Sequence, residues 1–136
     1  MEKLSTIRGA SSTADFDGDG DITEGVYGEI DSMRSTLFEA VKADAKKNGT
    51  PIVYSSADYP YFFVDANEDV EPDKHDQGAS VCYNAWTPTL LRAASNLQYA
   101  NKDPGAFSHN PKYVIQFLYD SIAGLDTAAV AGMTRP

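Results

Sequence analysis

The chain has 136 residues, with 20 acidic against 11 basic side chains, a net charge of −9 and a pI of about 4.5. At roughly 100 to 200 residues per domain this is one core and not two, and the scattered basic residues exclude the basic patch that binding nucleic acid requires. No apolar run approaches the ~20 residues of a bilayer crossing, and 42% hydrophobic with 23% charged residues is the balance of a soluble, folded domain.

Residues 1–14 are small and polar, which predicts a flexible leader. They lack the apolar stretch and cleavage site of a signal peptide. An acidic run, Asp-Phe-Asp-Gly-Asp-Gly-Asp-Ile-Thr-Glu-Gly, follows at 15–25. From about 24 to 48 the apolar residues Ile30, Met33, Leu37 and Val41 recur every three or four positions, the spacing of one helical face. Glu29, Arg34, Glu39, Lys42 and Lys46 are expected on the opposite face, and Asn48-Gly49 with Pro51 supplies a stop. Residues 52–64 turn aromatic and β-branched but are broken by Pro60, which predicts two short extended segments. A second acidic loop covers 65–80. A capping residue followed by proline, Thr87-Pro88, opens a second helix that carries Leu90, Leu91, Ala94 and Leu97 to about Asn101. Asn110-Pro111 opens a third, through Val114, Ile115, Leu118, Ile122 and Leu125, after which 126–136 is expected to fray.

The acidic runs carry the chemistry. Asp15, Asp17 and Asp19 alternate, Gly20 follows and Asp21 comes next, matching the first seven positions of an EF-hand loop: oxygens at 1, 3 and 5, a glycine at 6 and a carbonyl at 7. Crowded carboxylates repel one another, and a hard divalent cation with six to eight oxygen ligands removes that repulsion, which favours calcium over magnesium. Position 12 departs from the motif. Val26 stands where the bidentate glutamate belongs, Glu24 is two residues early and Glu29 three late, so either of these closes the site. In the second run Asp65, Asn67 and Asp69 occupy positions 1, 3 and 5, Glu71 is at 7, Asp73 at 9 and Asp76 at 12, while Val70 replaces the glycine at 6. Each loop has what the other lacks. Both also suit solvated turns, which use the same residue types.

Other candidates carry less. Cys82 is alone, so it makes no internal disulfide; with no CxxCH in the chain it attaches no heme, and with no local nucleophile signature it reads as a small buried hydrophobe. His75 falls in an acidic loop and is expected to be solvated. Tyr59, Tyr61, Phe62, Phe63 and Trp86 are expected mainly in the core, with a sugar-stacking surface as the alternative. His109 sits just before a helix start, a rigid place from which an imidazole can be offered to a metal.

Three stretches together resemble a known family: the acidic opening with Glu24-Gly-Val-Tyr-Gly-Glu29-Ile, the middle Tyr59-Pro-Tyr-Phe-Phe with its acidic loop, and residues 106–122 around Ser108-His109-Asn110-Pro111-Lys112-Tyr113. They are similar to the heme-motif-free C-terminal region of bacterial multiheme c-type cytochromes, over about residues 15–125. The resemblance implies that His109 is a distal axial ligand to a heme carried by a partner chain or by a segment missing here. It also implies an extracytoplasmic setting, since c-type heme attachment and millimolar calcium both belong there.

The sequence therefore predicts a mainly α domain at 15–125, of about three helices with a short extended aromatic segment and two calcium-binding loops. Its expected function is a non-catalytic, calcium-stabilised accessory domain or subunit of a multiheme cytochrome supporting electron transfer. The alternative is a calcium-dependent carbohydrate-binding or adhesion module.

Overall fold

The computed structural model describes residues 14–136; the leader expected at 1–14 lies, apart from Ala14, outside the described residues. The protein is mainly helical, as the periodicity predicts, with four α-helices and one two-stranded sheet among the described residues.

Helix α1 (Val26–Lys47) buries Val26, Ile30, Met33, Leu37, Val41 and Ala45 along one stripe. It ends in a Schellman turn: Thr50 N–H donates to Ala45 O (3.1 Å) and Gly49 N–H to Lys46 O (3.0 Å), with Gly49 at φ +93. Strands β1 (Ile52–Tyr54) and β2 (Phe62–Val64) pair antiparallel in the register Ile52↔Val64, Val53↔Phe63, Tyr54↔Phe62. A bridge from Phe63 to Cys82 adds a fragment of chain beside β2. Helix α2 (Pro88–Lys102) starts as its sequence dictates, with Thr87 Oγ1 accepting from Leu90 N–H at 3.1 Å and Pro88 in the first turn. A single turn, α3 (Ala106–His109), precedes α4 (Pro111–Leu125) and was not legible as a separate element. Helices α1, α2 and α4 pack against one another around Met33, Leu37, Leu90, Leu97, Ile115 and Leu118, all buried, and β1 lies on α1.

Four sequence expectations are corrected. Glu29 does not face solvent; it is fully buried in the apolar stripe of α1, because positions 26, 29, 30 and 33 follow the i, i+3, i+4, i+7 spacing. Residues 126–136 do not fray: Thr127–Val130 forms a 3₁₀ turn, Val130 is buried, and Arg135 pairs with Asp120. Cys82 is exposed, since its neighbour Tyr83 takes the inward position of that extended stretch. The aromatic group divides: Phe62 and Phe63 are core, while Tyr59 is 85% exposed beside the cis Tyr59–Pro60 peptide, and Leu91 of α2 is exposed near it. His75 is exposed, as expected.

Candidate metal centre

The first acidic loop is anchored at both ends of its chemistry. Phe16, at its second position, enters the core. Thirteen residues on, α1 carries the buried Glu29 back under the loop, where its Oε2 accepts from Phe16 N–H at 2.9 Å and Asp17 N–H at 3.0 Å. A buried carboxylate is tolerable only when hydrogen-bonded or paired, and these two amides are part of that compensation.

Within the loop the aspartates fold the backbone around themselves. Asp15 Oδ1 accepts from Gly18 N–H (2.6 Å) and Oδ2 from Gly20 N–H (2.8 Å). Asp17 Oδ1 accepts from Asp19 N–H (3.1 Å) and Asp19 Oδ1 from Asp21 N–H (2.7 Å). The carboxylate of Asp21 turns outward to Thr23 N–H and Oγ1 (2.8 and 2.6 Å), which leaves its backbone carbonyl as the group the loop motif uses at position 7. Asp15, Asp17 and Asp19 each bring a carboxylate oxygen within 4.8 Å of the others, and so do Asp17, Glu24 and Glu29. Asp17 is common to both triads, so both glutamates that the spacing offered lie at the site. At that separation each like-charged pair repels by roughly 1 kcal/mol in water and ~3 kcal/mol at an effective dielectric of 20.

Burial, neighbouring charge and hydrogen bonds move the carboxyls of Glu24 and Asp15 in opposite directions. Burial, then the negative charges of Asp17, Glu29 and Asp19, and a hydrogen bond with Asp17, push the Glu24 carboxyl up to about 7. Asp15 moves the other way. Burial raises it, but the amides of Gly20 and Gly18, the hydrogen bond with Asp17 and the Asp19 amide together outweigh that and hold it below its ordinary value.

The second loop repeats the backbone of the first with different residues. Asp65, buried, accepts from Asp69 N–H (3.0 Å) and Val70 N–H (3.2 Å); Asn67 Oδ1 accepts from Asp69 N–H (3.4 Å) and Asp69 Oδ1 from Glu71 N–H (2.9 Å). Positions 4 and 6 are left-handed in both loops: Gly18 (φ +81) and Gly20 (φ +92) in the first, Glu68 (φ +58) and Val70 (φ +70) in the second. A β-branched residue in that region is strained. Val70 therefore holds by context a conformation that Gly20 adopts freely. Lys46 of α1 grips this loop through Glu68 at 2.6 Å.

The second loop gathers its ligands less completely. Among the described residues no triad of its acidic side chains converges as those of the first loop do. Asp76 lies in the turn of the next hairpin, where His75 N–H bonds Ala79 O, and makes no hydrogen bond to the loop. Asp73 is the residue that reaches back, its Oδ2 accepting from Ala66 N–H at 3.1 Å; its place at position 9 was the signal for it.

His109 is the last residue of α3, exposed, with Nε2 3.1 Å from Asp103 Oδ1. Among the described residues no helix is long and apolar enough to cross a membrane. No protein-family model, no curated protein and no solved structure matches this chain.

Proposed function

We propose that the chain is a non-catalytic accessory domain whose loops are stapled by calcium, the first ion taken by Asp15, Asp17, Asp19, the Asp21 carbonyl and Glu24, the second by Asp65, Asn67, Asp69 and the Glu71 carbonyl. One observation carries the reading: two loops that differ at positions 4 and 6 share left-handed backbone there, with alternate side chains folded inward onto the loop amides. A solvated turn has no reason to hold Val70 in a strained conformation. A calcium loop has one, because the sharp turn at position 6 brings ligands 1, 3, 5 and 7 around one centre. Glu29 acts beneath the first site as its support, its Oε2 being committed to the Phe16 and Asp17 amides, whereas Glu24 closes it. The role is stability: an ion that binds only the folded chain adds ~2.7 kcal/mol at 100 times its dissociation constant, a large share of the roughly 5 to 15 kcal/mol of a whole domain.

The wider setting in this reading is an extracytoplasmic multiheme cytochrome, in which the domain supports electron transfer beside a heme-bearing chain or segment. The resemblance in sequence supports it, together with the state of His109. Its Nε2 is held by Asp103, the outer-shell arrangement usual for a ligating histidine, while Nδ1 makes no hydrogen bond among the described residues. Calcium at such exposed loops would bind with a dissociation constant on the order of 10⁻⁴ to 10⁻³ M, matched to extracellular concentrations.

The test is a thermal melt of the chain with millimolar calcium and then with excess chelator. The reading expects the midpoint to fall by about ten degrees on chelation, on the order expected for two sites; an unchanged midpoint overturns it. For the heme ligand the test is His109→Ala in the assembly with the heme-bearing chain, where an unchanged low-spin spectrum rejects the assignment.

A second reading, a calcium-dependent carbohydrate-binding module, is favoured by a cleft of about 370 Å³ lined by Tyr59, Tyr61, Trp86, Leu91, Ser95 and Gln98, with no charged residue on its walls among the described residues. Aromatic rings with a polar rim suit the apolar face of a neutral sugar. A calcium-dependent change in Trp86 fluorescence with a panel of glycans would move the assignment to it.

A further inference from the structure

The first loop is not an isolated hairpin of aspartates, because the C-terminal segment lies across it. Val130 is buried and Met133 packs against the core, which brings the backbone of Gly132 onto Gly18. Thr134 N–H then donates to Asp15 O at 3.1 Å. Arg135 locks the segment down, with Nε 2.7 Å from Asp120 Oδ1 and Nη2 3.0 Å from Oδ2, a bidentate pair to α4.

The two loops give an internal comparison. Position 6 is Gly20 in the first, where an added Cβ would meet nothing within 4 Å, so backbone conformation alone accounts for that glycine. Position 4 is different. Glu68 occupies it in the second loop at φ +58, so left-handed backbone there does not by itself demand glycine. At Gly18 a Cβ would stand 2.7 Å from the carbonyl carbon of Gly132 and 2.9 Å from its oxygen, a distance no side chain tolerates. The missing side chain of Gly18 is room for the C-terminal segment.

We propose that residues 130–135 are a strap that positions the first acidic loop, with Arg135 as its positioning residue, so that strap docking and cation binding at that loop promote each other. The part about the cation rests on the calcium reading above; the part about the strap does not. By linkage, a segment that docks only on the closed loop raises the loop's cation affinity by the same factor by which the cation raises docking.

The experiment compares the full chain with Arg135→Ala and with Arg135→Ala/Val130→Ala. Arg135 is at the surface, so its replacement leaves the core intact. Hydrogen exchange in calcium-free buffer is read on 14–21, 65–73 and 130–135, and calcium binding is measured by calorimetry. The expected result is faster exchange in 130–135 and 14–21 together with 65–73 unchanged, and an affinity at the first site lower by about fivefold or more with the second site unaffected. Faster exchange of 130–135 while 14–21 stays protected overturns the strap. A wild-type chain that takes up no calcium at the first loop ends the calcium reading instead, and the exchange pattern still decides the strap.

Discussion

Glu24→Gln separates the electrostatics of the first loop from its packing. A carboxyl that titrates at about 7 in the folded chain and 4.5 unfolded keeps a proton, between those pH values, that the unfolded chain has released. The folded state then binds more protons, so stability in the calcium-free protein falls as pH rises from about 4.5 to 7 and is level above. At 1.36 kcal/mol per pH unit the full span is ~3 kcal/mol; Glu24 is partly exposed, so about 2 kcal/mol is the expected effect. Urea unfolding of wild type and Glu24→Gln in calcium-free buffer, from about pH 4.5 to pH 8, measures it. The variants should be nearly equal at the acid end, with Glu24→Gln about 2 kcal/mol more stable at the alkaline end. Saturating calcium should reverse the order, since only the carboxylate gains from the ion. Parallel pH profiles for the two proteins would refute the crowding of Asp17, Glu24 and Glu29 on which this rests.

Glu29→Ala removes the acceptor for two amides, one of them buried, and should cost about 3 to 5 kcal/mol in urea unfolding. Glu29→Gln keeps an acceptor oxygen and should cost roughly half as much; a loss below about 1 kcal/mol for the alanine variant would show that the carboxylate does not hold the loop. Left-handed position 6 should respond with opposite signs in the two loops. Val70→Gly relieves strain of about 1 to 3 kcal/mol against the entropy of an added glycine, for a net gain of ~1 kcal/mol, while Gly20→Ala, at φ +92, should lose about as much. Thermal melts would register each as a shift of about 4 °C, and a Val70→Gly midpoint below wild type would contradict the shared loop geometry.

Much of this protein could be read from local rules. The stripe of Ile30, Met33, Leu37 and Val41, the Thr87-Pro88 and Asn110-Pro111 helix starts, and the Asn48-Gly49 stop all depend on residues within one or two turns of each other, and each appears where the spacing puts it. The alternating aspartates are local as well, since each folds onto an amide two to five residues away. What escaped depends on neighbours far along the chain. Glu29 is stable in the interior only because Phe16 and Asp17, thirteen and twelve residues earlier, turn their amides into it. Within 126–136 the local signal is the Asp126 cap on Ala128 N–H, and the order of the residues beyond that turn comes from Gly18 and Asp120. Sequence alone determined the three long helices and the inward aspartates, through periodicity, capping and short hydrogen bonds. Tertiary structure decided that Glu24 and Glu29 meet at Asp17, and that a C-terminal segment lies against Asp15 and Gly18 from outside the motif, because burial and close backbone approach are settled only when distant segments pack.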